Sequence, residues 1–270
     1  MQIAAHQRTT RTCRSGDGHP ISYDVVGDGP PLLLLHGGFV HDRTMWREAG
    51  YVAALSTEFR SIIPDLRGHG ASPHLTTAAD YALDRVLGDL RAVLAAECVE
   101  RVLILGYSLG AVVGLRFALA HGATAGLVLL GGAFGAALPE PMRQAVLERL
   151  DEVESARRRG ESPALSPAEQ AFVTRADLRV VRAAYTAFAD WPSVDPQQLP
   201  CPTAFITGSE NPWSMASLHA HAAQFAACGV VAAVLPGLSH DQELTETEAV
   251  LRITRPFLEQ HAERAPRASP

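Results

Sequence analysis

The chain has 270 residues, of which 47% are hydrophobic, so it can build one large α/β domain with a sizeable core. Its formal net charge of −6 at pH 7 is modest and argues against a nucleic-acid partner. The four cysteines are scattered, which predicts free thiols in a reducing cytoplasm rather than a disulfide framework or a zinc site.

We expect no targeting or membrane signal in this sequence. The residues before Gly18 lack the apolar segment of a signal peptide, and no apolar run is long enough to span a membrane, so we expect a cytoplasmic protein with no membrane partner. The segment 264–270 is rich in Pro, Ala and Arg and is expected to be a disordered tail. Lysine is absent, a composition typical of a high-GC bacterial genome.

The first part of the chain alternates strand-like and helix-like segments. Thr9–Arg14 and Ile21–Val26 flank a glycine-rich turn and predict a hairpin. The next predicted elements are a strand over Leu32–Leu35, a helix over Met45–Leu55, a strand over Arg60–Pro64 and an amphipathic helix over Leu83–Ala96. This alternation predicts a doubly wound, mostly parallel sheet.

The most specific pattern lies in Arg101–Ala120. An apolar run over Val102–Leu105 predicts a buried strand, and Ala111–Ala120 has helical apolar spacing. Between them lies a G-x-S-x-G sequence, Gly106 to Gly110, with Ser108 at the bend. In this context the motif predicts a nucleophile elbow, because glycine on both sides of the serine lets the strand and helix backbones touch.

The alternation stops after a strand over Leu127–Leu130. Residues 136–199 contain no strand-like run, and we predict that they form a helical cap inserted into a core made of residues 1–135 and 200–263. The cap helices are predicted over Met142–Arg159, Ser166–Val173 and Asp177–Ala189, the second with a Ser166/Glu169 capping box. The core then resumes with a strand over Thr203–Thr207, a helix over Ser214–Ala227, a strand over Val230–Leu235 and a helix over Thr245–Gln260 that opens on a Thr245/Glu248 capping box.

Four motifs in this order resemble the α/β-hydrolase superfamily over nearly the whole chain. They follow predicted strands and are His36-Gly37-Gly38, Asp65–Ser72, the elbow at Ser108, and Gly237–His240. The resemblance implies an α/β-hydrolase fold: a mostly parallel eight-stranded sheet with helices on both faces and an inserted helical cap. Most members cleave esters, amides, lactones or thioesters, and some cleave C–C bonds or carry out non-hydrolytic chemistry.

The resemblance also assigns roles to residues. A serine hydroxyl needs a base within hydrogen-bond reach, and His240 is the candidate because it follows the last strand, at the edge where sites collect in open α/β sheets. The backbone N–H groups of Leu109 and Gly38, with Phe39 as a register alternative, are expected to form an oxyanion hole beside Ser108. Four further residues are expected to order loops by hydrogen bonding rather than to take part in the chemistry: His36, Asp65, Arg67 and His69.

The third member of the triad departs from the family pattern. The acid usually follows the penultimate strand, where this chain has Asn211. An alternative position after the preceding strand, Gly131–Phe134, holds no carboxylate. Three possibilities stay open: Asn211 accepts a hydrogen bond from His240 through its amide oxygen, Glu210 supplies the carboxylate, or neither has this role.

An apolar pocket and a small, apolar substrate molecule are expected, with no metal and no cofactor. The candidate pocket residues lie near strand ends or in the cap: Phe39, Trp46, Tyr107, Phe134, Trp191, Trp213 and Met215. The oligomeric state is left open.

Three function classes follow from these residues. The first is a serine hydrolase of a small apolar ester, lactone or thioester, acting through an acyl-enzyme on Ser108 with His240 as base. The second is a non-hydrolytic enzyme (a lyase, cyclase or cofactor-free oxygenase) that uses His240 with an altered acid. The third is a ligand-binding protein with an inactive triad. Epoxide hydrolases and dehalogenases of this fold have aspartate at the position of Ser108, which disfavours both.

Overall fold

A computed structural model describes residues 8–265, which contain one eight-stranded sheet with the order β1-β2-β4-β3-β5-β6-β7-β8. The strands are β1 Thr9–Arg14, β2 Pro20–Val26, β3 Pro31–Leu35, β4 Arg60–Pro64, β5 Val102–Tyr107, β6 Thr124–Leu130, β7 Thr203–Gly208 and β8 Val231–Leu235. β2 pairs antiparallel with β1 and β4, and all other neighbours are parallel. The predicted mostly parallel eight-stranded α/β sheet is therefore confirmed.

Helices join the strands. They are α1 Met45–Glu48, α2 Tyr51–Leu55, α3 Leu83–Ala96, α4 Leu109–His121, α5 Glu140–Arg158, α6 Pro167–Arg175, α7 Leu178–Ala187, α8 Pro212–Cys228, α9 His240–Thr245 and α10 Thr247–Ala262. Short 3₁₀ helices cover Ala78–Tyr81, Phe188–Asp190 and Pro196–Gln198. Among the described residues, no helix combines the length and the apolar character that crossing a membrane needs.

Side-chain alternation along the buried strands places core on both faces of the sheet. In β3, Leu33 and Leu35 join the core that includes residues of α3 and α4. Leu32 and Leu34 join the core on the other face, which includes residues of α1, α2 and α10. All four leucines are fully buried, so this strand reads as a continuous apolar run.

Two predicted helices differ from the structure. The helix predicted over Met45–Leu55 is interrupted at Gly50, whose φ of 90° does not fit a helix interior. The last helix begins at Thr247 rather than Thr245, and Glu246 before it makes no side-chain cap, so the predicted capping box is wrong. A separate helix, α9, starts earlier at His240 with its own Ser239 capping box.

Helices α5–α7 lie between β6 and β7, within the predicted cap segment 136–199. The Ser166/Glu169 capping box opens α6 as predicted. Gly135 pairs with Val194 in an isolated bridge, which brings the two ends of the segment together. The end of the predicted tail, residues 266–270, lies outside the described residues.

The bend between β5 and α4 needs glycine on both sides of Ser108. A Cβ on Gly106 would lie 2.3 Å from the carbonyl oxygen of Gly110. A Cβ on Gly110 would lie 2.0 Å from the carbonyl oxygen of Leu35. Real Cβ atoms do not approach backbone this closely, so the backbone would have to move and carry Ser108 with it.

We therefore expect Gly110→Ala to lower the free energy of unfolding by about 1–3 kcal/mol, because the new methyl group overpacks the contact with β3. Gly16→Ala is the matched control, since a Cβ there meets nothing within 4 Å, and should change stability by less than about 0.5 kcal/mol. Chemical denaturation of both variants checks this. Equal stability of the two would contradict the close approach described for Gly110.

Candidate active site

Ser108 and His240 meet at the carboxyl edge of the sheet. Ser108 follows β5 and has φ 53° and ψ −116°, a strained backbone for a residue with a side chain. Its Oγ lies 2.9 Å from Nε2 of His240, the first residue of α9. A hydroxyl held this close to an imidazole nitrogen can transfer its proton to that nitrogen.

The other ring nitrogen of His240 faces a carboxylate that the sequence analysis did not identify. Oε2 of Glu243 lies 3.1 Å from Nδ1 of His240, and the Glu243 side chain is fully buried. In the neutral ring, Nε2 accepts the Ser108 hydroxyl proton, so Nδ1 carries the ring proton and donates it to Glu243. His240 and Glu243 are three residues apart on α9, which places them on one face of the helix.

The Glu243 carboxylate is satisfied by several donors. Its Oε1 accepts hydrogen bonds from the Thr207 hydroxyl at 3.0 Å and from the backbone N–H of Gly208. Both residues lie at the end of β7. A Cβ on Gly131, just after β6, would lie 2.1 Å from Oε2 of Glu243. The glycine at this alternative acid position therefore leaves the space that the Glu243 carboxylate occupies.

Asn211 lies beside this pair and faces it with its amide nitrogen. Its Nδ2 donates to both oxygens of Glu243, at 3.0 and 3.1 Å, and lies 2.9 Å from His240 Nδ1. Its Oδ1 accepts from the backbone N–H of Ser214 at 3.2 Å and caps α8. The expected hydrogen bond from His240 to the Asn211 oxygen is therefore absent, because the helix cap and the carboxylate fix the opposite orientation of the amide.

Glu210 does not reach His240. Its side chain is exposed at the turn after β7, and its backbone N–H donates to the carbonyl of Leu238 at 3.0 Å. Three side chains place polar atoms within about 3 Å of the His240 ring nitrogens, and these are Ser108, Asn211 and Glu243. The carboxylate that the sequence analysis sought in Glu210 is brought to this ring by Glu243.

The two predicted oxyanion donors, Gly38 and Leu109, line the same cavity as Ser108. Leu109 is the first residue of α4, where N–H groups have no partner within the helix. Gly38 lines the same cavity as Ser108, and its Cα faces the Leu109 side chain closely enough that a Cβ would lie 3.3 Å from it. The N–H of Phe39 instead donates to Nε2 of His69 at 2.8 Å. This contact disfavours Phe39 as an oxyanion donor.

His36 and His69 order the loops that carry these groups. Nε2 of His36 accepts a hydrogen bond from the backbone N–H of Leu66 at 3.0 Å, while its Nδ1 faces the carbonyl of Gly37 at 2.6 Å. Burial lowers the pKa of His36 to about 4. Burial, with the neighbouring His36, lowers the pKa of His69 to about 3. Both rings are therefore neutral near pH 7 and can accept from backbone N–H groups.

Asp65 and Arg67 are also tied into this loop structure, as the sequence predicts. Asp65 accepts from the backbone N–H groups of Arg43 and Ala71, at 2.9 and 2.7 Å, and pairs with the Arg43 guanidinium. Arg67 forms a buried two-bond pair with Asp89, with both bonds at 2.7 Å. Neither side chain faces Ser108 or His240.

Aromatic side chains support His240 from two sides. The Tyr107 ring stacks under it with 5.0 Å between centroids, and the Tyr107 hydroxyl donates to the His240 carbonyl at 3.0 Å. Trp213 approaches edge-on at 6.4 Å. These contacts hold the imidazole plane in the orientation that joins Ser108 to Glu243.

A cavity of about 320 Å³ opens above Ser108 and His240. Two of the predicted pocket residues, Phe39 and Trp213, line it. The cap segment adds lining residues that the sequence analysis did not name: Ala137, Leu138, Met142, Phe172, Tyr185 and Phe188. Its walls are therefore mostly apolar, and its polar groups converge on Ser108.

The other predicted pocket residues have different places. Trp46 is fully buried and packs edge-on against Tyr51, on the far face of the sheet from α4. Phe134 packs among core aromatics, with Phe225 at 5.2 Å. Tyr107 supports His240 from below, and Trp191 donates its indole N–H to the carbonyl of Tyr81 at 3.0 Å. Met215 lies in α8 and is half-buried. None of these five side chains lines the cavity above Ser108, although Trp191 lines a small adjoining space with Phe39 and Phe188. Positions at strand ends and in helices near the site supply core side chains as well as site side chains.

Within residues 8–265, no group of three or more His, Cys, Asp or Glu side chains is arranged to hold a metal ion. The cysteines there, Cys13, Cys98, Cys201 and Cys228, are free thiols, as expected.

Comparison with known proteins supports the same architecture. A model of the alpha/beta hydrolase family matches residues 32–253. The pimeloyl-[acyl-carrier protein] methyl ester esterase of Methylococcus capsulatus is 44% identical over 111 residues, which cover 40% of this chain and 39% of the relative. The alignments with such curated relatives span only 29% to 42% of each relative's own length.

Solved structures align over nearly the full chain. An esterase from Thermogutta terrifontis has a TM-score of 0.71 and 27% identity, covering 94% of this chain and 99% of that one. The bottromycin epimerase BotH has a TM-score of 0.72 and 23% identity, covering 92% of this chain and 99% of that one. At this identity the epimerase shows a shared fold only.

The lowered pKa of His69 predicts a pH-dependent stability. The unfolded chain takes up the proton near the ordinary value of 6.5, whereas the folded chain does so only near about 3. The free energy of unfolding should therefore fall as the pH drops from about 6.5 toward about 3, and this contribution should be constant above that window. In His69→Gln, the amide oxygen can still accept a hydrogen bond from the Phe39 N–H but cannot titrate. The slope of the free energy of unfolding against pH should therefore be shallower by up to about 1.4 kcal/mol per pH unit, which corresponds to one proton.

Denaturant unfolding at a series of pH values measures this slope. His74→Gln, at an exposed position, is the matched control. If His69→Gln and the unsubstituted protein show the same slope between pH 6.5 and about 3, His69 does not stay neutral in the folded chain.

Proposed function

The chain belongs to the alpha/beta hydrolase family, and we propose that it is a serine hydrolase that cleaves a small apolar carboxylic ester, or a related lactone or thioester. The observation that carries the proposal is the unbroken relay from Ser108 to His240 and on to Glu243, with contacts of 2.9 and 3.1 Å. The esterase names of the Methylococcus and Thermogutta relatives support the same class of bond.

The first half of the reaction forms an acyl-enzyme. Ser108 Oγ attacks the ester carbonyl carbon while His240 Nε2 takes the hydroxyl proton. The carbonyl oxygen becomes an oxyanion, which the N–H groups of Gly38 and Leu109 stabilise at the amino end of α4. His240 Nε2 then returns its proton to the alcohol oxygen as the C–O bond breaks, leaving the acyl group on Ser108.

The second half releases the acid. Water attacks the acyl carbon while His240 Nε2 takes one of its protons, and the oxyanion forms again beside Gly38 and Leu109. When this intermediate collapses, the proton passes to Ser108 Oγ and the carboxylic acid departs. No cofactor enters either half of this reaction.

Glu243 supplies the negative charge that the relay needs. In each half His240 becomes an imidazolium, and the carboxylate 3.1 Å from its Nδ1 stabilises that charge and holds the ring orientation. In the common order of this fold the acid precedes the histidine along the chain, whereas here it follows by three residues. We propose that Asn211 positions this carboxylate by donating to both of its oxygens.

Helices α5–α7 are proposed to act as a cap that selects the substrate, because several of their side chains line the cavity above Ser108. The non-hydrolytic alternative drew its support from the missing carboxylate at the usual acid position. A buried carboxylate at His240 weakens that reason. The inactive-triad alternative is weakened by the same contact.

Substitution of the relay tests the proposed function. Ser108→Ala should lower kcat for a small activated ester by ~10⁴ or more, because the nucleophile is removed. Glu243→Gln should lower it by about 10³–10⁴, because the imidazolium loses its charged partner. Glu210→Gln, with an exposed side chain at the neighbouring turn, is the matched control and should stay within about twofold of the unsubstituted protein.

Steady-state hydrolysis and labelling with a fluorophosphonate probe measure these outcomes. Near-normal turnover by Ser108→Ala would exclude the acyl-enzyme. Loss of activity in Glu210→Gln but not in Glu243→Gln would transfer the acid role to Glu210.

The substitution Asn211→Asp separately tests the usual acid position. The new carboxylate would lie about 3 Å from Glu243, in the place of the Asn211 amide that now donates to it. Two buried carboxylates at this distance repel each other. Either one of them takes up a proton, or the folded protein becomes less stable. We expect kcat at neutral pH to fall by about tenfold and the free energy of unfolding to fall by about 1–3 kcal/mol.

Ser209→Asp, two residues away and exposed, is the control for the added charge and should preserve both quantities. A rise in kcat for Asn211→Asp would instead indicate that position 211 is the productive acid position and that Glu243 is not.

A further inference from the structure

A second cavity, of about 370 Å³, lies within the inserted helices rather than between them and the sheet. Its walls come from α5, α6, α7 and the segment before α6. Its apolar lining includes Ala145, Val146, Leu150, Val153, Leu165 and Val173. We call this space the cap chamber. It has the size and the apolar lining of a ligand-binding site.

The cap chamber adjoins the catalytic cavity. Met142, Phe172 and Tyr185 line both spaces, so these three side chains form the wall they share. Phe172 and Tyr185 are half-buried. A substrate bound at Ser108 therefore has an apolar space to extend into once it passes this shared wall.

The shared wall contacts the segment that carries the proposed oxyanion donor. Tyr185 packs against Phe39, with 5.2 Å between ring centroids, and Phe39 follows the proposed oxyanion donor Gly38. The alcohol leaves on the other side, because it takes its proton from His240, which Trp213 approaches at 6.4 Å. We therefore assign the side that faces Tyr185 to the acyl chain.

The charges around the cap chamber are paired with each other. Arg149 forms a 2.7 Å ion pair with Glu169 and a 2.5 Å ion pair with Glu152. Burial raises the pKa of Tyr185 to about 12, so its hydroxyl is neutral. A ligand with a charged end would have no unpaired partner here and would lose its hydration. The cap chamber therefore favours an uncharged chain.

The packing of α6 agrees with a space made for an apolar ligand. None of its side chains is buried, although Phe172 and Val173 are both large and apolar. These two side chains line the cap chamber while packing partly against the apolar cluster around Leu150 and Val153, and Arg175 of α6 donates to the carbonyl of Val40 at 2.7 Å. An apolar ligand would cover surface that the helix leaves open.

We propose that the cap chamber binds the distal part of an unbranched, uncharged acyl chain, so that esters of medium-chain fatty acids are the preferred substrates. This inference rests on the proposed ester hydrolysis and names its substrate class. Each methylene that enters the chamber should raise kcat/KM by about fourfold until the space is filled.

The test compares p-nitrophenyl acetate, butyrate, octanoate and decanoate with the unsubstituted protein and two matched variants. Val173→Trp fills the chamber from α6. Ala171→Trp places the same side chain on the same helix, at an exposed position outside the chamber lining. We expect Val173→Trp to lower kcat/KM for octanoate and decanoate by at least tenfold and to leave acetate within twofold, with Ala171→Trp unchanged on all four.

Other outcomes overturn the proposal. A preference of the unsubstituted protein for acetate or butyrate overturns it. An equal loss of kcat/KM for all chain lengths in Val173→Trp also overturns it, provided that this variant unfolds at the same denaturant concentration as the unsubstituted protein. A chain-length preference among alkyl acetates instead of acyl esters places the chamber on the alcohol side and overturns the acyl assignment. If Val173→Trp does not fold, Val146→Phe fills the same space from α5 and takes its place.

A binding measurement separates this proposal from the proposed function. Calorimetry with the Ser108→Ala protein should show methyl decanoate binding at least tenfold more tightly than methyl butyrate, and Val173→Trp in that background should remove the difference. This result would support the cap chamber even if the protein hydrolysed no ester. Equal binding of the two esters would overturn it even if esterase activity were found.

Discussion

The buried carboxylate of Glu243 is the interaction on which the site depends. A buried charge is stable only when donors surround it, and this one accepts hydrogen bonds from Thr207, Gly208, Asn211 and His240. Those donors belong to the end of β7, the cap of α8 and the start of α9. The carboxylate that would stabilise an imidazolium therefore also joins three structural elements. The geometry of the relay consequently depends on the packing of this edge of the sheet.

A second constraint fixes the nucleophile from the opposite side. The φ of 53° at Ser108 is held in place because Gly110 touches the carbonyl of Leu35, at the end of β3. The loop after β3 is in turn held by His36, which accepts from Leu66 after β4. The proposed oxyanion donors and the serine thus sit on rigid neighbouring strand ends, which is the preorganisation that stabilisation of an oxyanion requires.

Much of the fold could be predicted from the sequence, because buried parallel strands are continuous apolar runs and G-x-S-x-G has one common use in a strand–turn–helix context. Glu243 was missed because Thr245 and Glu248 resemble a capping box, so the residues before them were assigned to a loop. The same pattern occurs at Ser239 and Gln242, where the structure does start a helix. A six-residue helix has too little periodicity to be recognised, yet it alone places His240 and Glu243 on one face.

The inserted helices are tied to the catalytic machinery through α4. Buried Arg116 of α4 donates to the carbonyls of Gly135 and Pro192, at 3.2 and 2.9 Å, at the two ends of the insertion. Burial lowers its pKa only to about 10, so the guanidinium stays charged near neutral pH and keeps both bonds. The same helix begins at Leu109, next to the nucleophile. A shift of α4 would therefore move the two ends of the insertion and a proposed oxyanion donor together. The position of the inserted helices over the catalytic cavity is thus coupled to the position of the catalytic groups.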